Sequence, residues 1–362
     1  MNRVTVQLGD RSYPIDIVDG GLAAAGDVLK SLGAGPRVAI VTDSNVGPLY
    51  AAAVERSLDA AGFSFETLVI PAGEKSKRVG ELERLWNAFV DAGLDRQSVV
   101  VALGGGVVGD LAGFAAATYM RGIRIVQVPT TLLACVDSSV GGKTAIDLDA
   151  GKNLAGAFHQ PSAVLIDPLA LGTLPERQLS SGLGEVIKYG ASLDAALFTW
   201  LDDHMDELMS FDPPALAHAI RRSCEIKAEI VAEDERESSR RAILNFGHTV
   251  AHALEASAGF EALLHGEAVS LGMLAEGRVA IALGMVPTLY DEVLFKLLAR
   301  AGLPISLETA DVAAVLEAIR HDKKGHAGKV AMVLPTQIGY SRVVPDVDPA
   351  LVAKAVESLH GK

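Results

Sequence analysis

Residues 98–110 read SVVVALGGGVVGD, and this stretch decides the fold. Its first six residues form a continuous apolar, β-branched run without alternation, the pattern of a strand covered on both faces. Gly104, Gly106 and Gly109 follow in G-x-G-x-x-G spacing and open a helix, with Asp110 closing the cluster. Glycines at such a turn let the backbone approach a pyrophosphate, and the helix N-terminus adds unbonded N–H groups and positive potential. The same glycines also suit simple tight packing. The usual dinucleotide fingerprint continues with an acid about 20 residues on, which holds the ribose. Here residues 121–124 read RGIR, and the next strand ends in Pro129-Thr130-Thr131. Asp43 and Glu74, each after another strand-like run, are the alternative carboxylates. The stretch 98–120 is the most apolar of the chain, but its glycines and Asp110 fit a buried strand and helix better than a membrane span.

Outward from this stretch, the runs 37–42 (RVAIVT), 65–70 (FETLVI), 123–128 (IRIVQV) and 163–166 (AVLI) also read as buried strands. Helical spacing over 47–61 and 79–92 lies between them, which predicts βαβ units and a mostly parallel sheet. Two short runs at 4–8 and 13–17, separated by Gly9-Asp10, predict a hairpin. After Pro175 long helical segments take over, at 183–209, 214–233, 248–258, 266–284, 288–301 and 310–320, with one strand-like run at 329–334. The expectation is an α/β nucleotide-binding domain over 1–174 and an all-α metal- and substrate-binding domain over 175–362.

The 362 residues are ample for two such cores. With 49% hydrophobic and 21% charged residues the chain is too ordinary for disorder. Its two cysteines, Cys135 and Cys224, argue against a disulfide scaffold or a Cys-rich zinc site. A net charge of −13 argues against nucleic-acid or anionic-membrane partners. Residues 201–237 alone hold 11 acids and 4 bases, so the rest of the chain is far closer to neutral. Residues 1–7 lack an apolar signal core, which predicts no export and a cytoplasmic location.

Gly142-Lys143-Thr144 suggests a P-loop, but that motif needs a glycine where Asp137 stands. Residues 138–144 instead read as a flexible loop with one cation and three hydroxyls, or as a plain surface turn. Among nine histidines, His248 and His252 are four apart, on one face if helical, and His265 follows 13 residues after His252. Such spacing can make a metal site, although satisfied core or surface histidines read the same way. Glu185 lies in an apolar helical run, where an acid needs a cation or a metal; Lys188, three residues on, offers a simple ion pair.

In order, the chain carries PAGEKSK at 71–77, GGGVVGD at 104–110, Pro129-Thr130-Thr131 and VDSSVGGKT at 136–144. GKNL at 151–154, FHQP at 158–161, GEVIKYG at 184–190, LNFGHT at 244–249 and HGEAV at 265–269 follow. Each is modest alone; the ordered series resembles the 3-dehydroquinate synthase family. The resemblance implies a two-domain enzyme of the shikimate pathway that converts 3-deoxy-D-arabino-heptulosonate 7-phosphate to 3-dehydroquinate and phosphate. The C5 alcohol is oxidised transiently by NAD, the ketone acidifies the neighbouring proton, phosphate is eliminated and the same hydride returns. Ring opening and an internal aldol closure finish the carbocycle, with the leaving phosphate taking the proton itself. NAD is thus regenerated at each turnover.

By position, the resemblance makes Glu185, His248 and His265 ligands of a divalent metal, zinc or cobalt, that polarises the alcohol. His252 becomes a substrate contact and, with Asp137, Lys143 and Asn245, part of the catalytic set. Asp43, Glu74, Lys77, Thr130, Thr131 and Thr173 are implied along the cofactor, together with Lys143 and Lys152. Gly105, Gly106, Val107, Val108, Gly109 and Asp110 are implied under its pyrophosphate. Lys152 and Asn153 hold the phosphate end of the substrate, and Lys188, Lys227 and Arg241 hold the remainder. Arg121 is implied to reach the phosphate pocket of a second subunit in a homodimer. Asp322-Lys323-Lys324 matches a further family motif. Residues 144–147 read TAID where many members have TGVN, a local departure compatible with the same loop.

Three other readings compete. A sugar phosphate cyclase acting on another sugar phosphate is disfavoured by the intact 137–144 loop, Asn245 and His252. A metal-dependent polyol dehydrogenase usually carries Asp where Glu185 stands and lacks the Gly-Lys-Asn segment. A nonenzymatic nucleotide-binding protein has no use for Glu185, His248 and His265 together.

Overall fold

The computed structural model describes residues 2–237, 240–257, 263–307, 312–322 and 330–360, without the side chains of 320–322. Its strands are β1 (Asn2–Val6), β2 (Tyr13–Ile17), β3 (Arg37–Asp43), β4 (Ser64–Ile70), β5 (Val99–Gly104) and β6 (Arg124–Pro129). β7 (Lys143–Leu148), β8 (Gly151–Phe158), β9 (Ala163–Ile166), β10 (Val330–Gln337) and β11 (Tyr340–Val347) follow. Two compact units emerge: Met1–Leu174 with Leu216–Arg236, and Pro175–Ala215 with Glu237–Lys362.

The first unit is built on a seven-stranded sheet of order β1-β2-β9-β6-β5-β3-β4. Only the β1–β2 hairpin is antiparallel; the other neighbours run parallel. β5 shows why the apolar runs are unbroken. Val100 and Ala102 enter one core, with Leu85 and Phe89 of the helix Val79–Asp91 and Leu111 of the helix Gly106–Thr118. Val99, Val101 and Leu103 enter the opposite core, with Leu29, Val54 and Leu58. Each fully buried side chain of this size contributes roughly 1.5–3 kcal/mol.

From β5 the chain order runs outward through β6 and β9 on one side, and β3 and β4 occupy the other. Strand order therefore reverses between β3 and β5, the place where open α/β sheets bind ligands at the carboxyl ends of their strands. The register aligns those ends: Asp43 pairs with Ile70, Thr42 with Leu103, and Gly104 with Pro129.

Among its described residues the second unit is helical apart from the antiparallel pair β10–β11, so it is not all-α. The expected helix over 183–209 is three: Glu176–Leu193, Ala195–Asp203 and Met205–Met209. Asp194 makes the first break, its carboxylate accepting from the N–H groups of Ala196 and Leu197. Residues 47–61 begin as a wide π-turn at Gly47–Ala51 before the α-helix Ala52–Ala60. The loop expected over 138–144 leads straight into a hairpin of β7 and β8. Most of the helix Pro213–Glu233 groups with the sheet unit, although its sequence reads as part of the helical half. No helix among the described residues is long and apolar enough to cross a membrane.

Candidate active site

The carboxyl ends of five adjacent strands, β9, β6, β5, β3 and β4, lead into most of the nucleotide candidates of the first unit. Gly105 is the N-cap of the helix Gly106–Thr118, with no side-chain cap and no acid in the first turn. Its leading N–H groups and positive end thus meet no acid or capping side chain from the helix's own first turn, which fits a phosphate. The glycines also have packing reasons. A Cβ on Gly104 would lie 2.6 Å from Val108 Cγ2, and one on Gly109 2.8 Å from Gln127 Oε1. Gly105 and Gly106 lie against Thr131 and Ser138. Thr130 follows β6; its hydroxyl is buried without a hydrogen-bond partner among the described residues, as suits a group awaiting a ligand. At the end of β3, Asp43 accepts from the N–H groups of Asn45 and Val46, fixing the turn that presents it. Thr173, after β9, bonds the Tyr50 hydroxyl at 2.6 Å. These groups fit a dinucleotide.

An ionic network around the buried Lys77 stands beside this turn. Lys77 Nζ donates to Asp110 Oδ2 at 2.6 Å and to Asn153 Oδ1, and lies 3.8 Å from Glu74. Burial alone favours the neutral amine of Lys77, but Asp110 and Glu74 outweigh it and raise its pKa. Burial raises Asp110 as well, opposed by Lys77. It also raises Glu74, against the pull of Lys77 and Lys152. Asp147 joins from β7: its carboxylate accepts from Asn153 N–H at 2.8 Å, and its own N–H donates to Lys77 O. Asn153, at a positive φ of 56°, is held from both sides. Replacing Lys77 by Met should lower unfolding free energy by about 1.5–3 kcal/mol, because half-buried Asp110 loses a charge-assisted hydrogen bond. An unchanged urea midpoint would show that Lys77 does not neutralise the network.

Asp137 and Lys227, far apart in sequence, come together: Lys227 Nζ donates to Asp137 Oδ1 at 2.6 Å and to its carbonyl at 2.7 Å. Lys143 is exposed at the start of β7 and Lys152 half-buried in β8. Arg121 stands apart. It borders a cavity of about 570 Å³ with Asp95, Arg96, Gln97 and Met120, at the amino ends of β5 and β6. Asp43, Glu74, Lys77, the 104–110 turn, Thr130 and Thr131 instead lie at or after the carboxyl ends of β3, β4, β5 and β6.

In the second unit, Glu185, His248 and His265 form the one metal-competent group found among the described residues, with one donor atom from each within 4.8 Å of the others. Glu185 is fully buried. Its Oε1 faces His248 Nε2 at 3.6 Å and His265 Nε2 at 3.5 Å, and its Oε2 meets Lys188 Nζ at 2.5 Å. The ion pair with Lys188 and the histidine cluster therefore coexist, one on each carboxylate oxygen. The far ring nitrogens point elsewhere: His248 Nδ1 lies 3.2 Å from Phe246 O, and His265 Nδ1 3.6 Å from Glu255. That leaves both Nε2 atoms turned toward Glu185, a donor set of one carboxylate and two imidazoles that suits a divalent metal. Burial and Lys188 hold His248 down at about 3, so its ring is neutral. Burial also lowers His265, but Glu185 and Glu255 outweigh it and raise the ring to about 10. His252 is exposed and stacks edge-on against His248, outside the donor group. The open choice among the three histidines is thereby narrowed to two. Asn245 donates to Glu237 at 2.8 Å, and Arg241 is buried. Lys323 and Lys324 lie outside the described residues.

Glycines explain how three separate segments meet so closely. A Cβ on Gly266 would lie 1.8 Å from Ser181 O, and one on Gly184 would lie 2.7 Å from Gly266 O. One on Gly272 would lie 1.9 Å from Gly247 O, and Gly247 itself has φ +83°. Each ligand sits one residue from such a contact: Glu185 by Gly184, His248 by Gly247, His265 by Gly266. The sequence shows these glycines, but not their partners.

Sequence reasoning also missed Glu255 and Glu276. Glu255 lies seven residues, two helical turns, after His248, and Glu276 eleven, three turns, after His265. That periodicity was the available signal.

Two family profiles, described as the N-terminal and C-terminal parts of 3-dehydroquinate synthase, match residues 67–181 and 182–325. The 3-dehydroquinate synthase of Rhodopirellula baltica is 49% identical over 360 residues, covering 98% of this chain and 96% of its own. That of Caldanaerobacter subterraneus subsp. tengcongensis is 48% identical over 344 residues, covering 95% and 97%. A solved structure of 2-epi-5-epi-valiolone synthase from Streptomyces hygroscopicus subsp. jinggangensis 5008, with NAD+ and Zn2+ bound, is 30% identical with a TM-score of 0.89, covering 98% of each chain.

Proposed function

Because the chain belongs to the 3-dehydroquinate synthase family, we infer that it works as an NAD- and metal-dependent enzyme through the two residue sets described above. It converts 3-deoxy-D-arabino-heptulosonate 7-phosphate to 3-dehydroquinate and inorganic phosphate, a step of the shikimate pathway. The observation that carries this is 49% identity to a 3-dehydroquinate synthase over 98% of the chain, against 30% to the valiolone synthase. When bound, NAD supplies reversible hydride acceptance and the metal supplies Lewis acidity toward the alcohol being oxidised.

The chain's own residues supply the rest of the proposal. Glu185, His248 and His265 hold the metal. Lys188 balances the charge on Glu185 within the buried cluster. The 104–110 turn and Thr130 hold the cofactor phosphates, and Asp43 and Glu74 are placed to accept from its ribose hydroxyls. Lys143 and Lys152 are cations for cofactor and substrate, with Asn153 fixed by Lys77 and Asp147. Asp137 and Lys227 act as a pair, in which the ammonium orients the carboxylate. Lys188, Arg241, Asn245 and His252 complete the substrate contacts. A homodimer and a cytoplasmic location belong to this proposal on the family likeness. The separate position of Arg121 supports its serving a second copy.

The test is turnover. The protein, incubated with the heptulosonate phosphate, catalytic NAD and zinc, should release phosphate and dehydroquinate in equal amounts without accumulating NADH. No phosphate release, or stoichiometric NADH, would overturn the reading. Replacing Lys152 by Ala should weaken phosphate-bearing substrate at least ~10-fold, on the scale of a lost charge-assisted contact. NAD affinity should fall less; equal losses would contradict the placement of Lys152 at the substrate phosphate.

A further inference from the structure

Glu276 is a fully buried carboxylate with no role in the reading above. It stands on the helix His265–Ala282, three turns beyond His265. Its Oε2 accepts from Gly247 N–H at 2.7 Å, and its Oε1 from Thr249 N–H at 3.1 Å and Val250 N–H at 3.4 Å. These amides belong to the left-handed residue before His248 and the first turn of the helix His248–Ser257. A helix N-terminus carries positive potential and unbonded N–H groups, so an anion there is stabilised even when buried. The usual device is a capping side chain from the same segment. Here the cap comes from a different helix, the one that begins at His265.

We propose that Glu276 is a positioning residue for the metal centre, a brace that fixes the His248 segment against the His265 helix. The proposal rests on the assignment of Glu185, His248 and His265 as metal ligands. Two observations converge on it. The carboxylate grips the backbone on both sides of His248, and Gly272 of the same helix packs against Gly247 O with no room for a Cβ. Rotation or slippage of either helix would break both contacts and separate the two imidazoles. Partners behind metal ligands typically tune metal affinity by 10–100-fold.

The test uses the full-length holoprotein. Zinc release to an excess of chelator should be 10–100-fold faster in Glu276→Gln than in the parent, and the visible spectrum of the cobalt-loaded protein should shift. Glu276→Asp, which keeps the charge with a shorter reach, should recover part of both effects. Parent-like zinc release and an unshifted cobalt spectrum in a folded Glu276→Gln would overturn the brace. Should neither variant fold, hydrogen exchange in the parent decides: Gly247, Thr249 and Val250 amides must exchange slowly, and fast exchange overturns the proposal. If Glu185→Gln also leaves zinc release unchanged, the ligand assignment fails rather than the brace.

Discussion

Glu185→Gln is expected to lose its stoichiometric metal and to turn over about a thousandfold more slowly, the scale of several kcal/mol of Lewis-acid stabilisation. The amide oxygen of Gln is neutral and a far weaker ligand than a carboxylate. A second effect accompanies the first. Lys188 is 1% exposed, and Glu185 is the anion it meets at 2.5 Å. Leaving a buried cation without its anion costs about 3–5 kcal/mol, so the metal-free variant should also unfold at lower denaturant. The two losses separate experimentally: metal content measures the ligand role, and chemical unfolding of both proteins without metal measures the ion pair. One full equivalent of bound metal in the variant would remove Glu185 from the donor set.

Gly266→Ala should be nearly as damaging without touching a functional group. The new Cβ would lie 1.8 Å from Ser181 O and 2.6 Å from Ser181 C, both backbone atoms that cannot swing away. The helices carrying Glu185 and His265 must separate. Overpacking of this kind costs about 3 kcal/mol or more, a melting point roughly 6–12 °C lower for a unit of this size. Metal affinity should fall with it, because the two ligands move apart. Gly80→Ala is the control: that glycine has open space around its Cβ position and sits in the first turn of a helix. It should be neutral or stabilising by up to about 1 kcal/mol. Equal melting points for the two variants would refute the close-contact account.

The sheet was legible because strands covered on both faces leave long apolar runs, as at 37–42 and 98–103. The glycine turn was legible for the same reason, since it follows such a run. Much of the rest was not. β8 has no buried residue and carries exposed Leu154 and Phe158, so no buried apolar run marks it as a strand. The helix Pro213–Glu233 has the spacing of its neighbours in sequence; Lys227 reaching Asp137 and the Cys224 thiol reaching Cys135 O show why it groups with the sheet. Histidine spacing left His248, His252 and His265 equivalent, and the ordered family motifs chose between them. Glu276 belongs to none of the sequence motifs, because the amides it holds lie 26–29 residues earlier in the chain.

The late arrival of that helix has a consequence on the ribosome. When residue 174 has been made, the sheet strands exist, but the segment Leu216–Arg236 that completes their unit is still 42 residues from beginning. Synthesis at about 5–20 residues per second leaves the nascent unit unfinished for roughly 3–12 s, until residue 236 emerges. Until then Asp137 has no Lys227, Cys135 O has no Cys224 thiol and Gln160 has no Glu235. A gene cut at 174/175, where the sequence changes character, would therefore yield a sheet permanently in that nascent state.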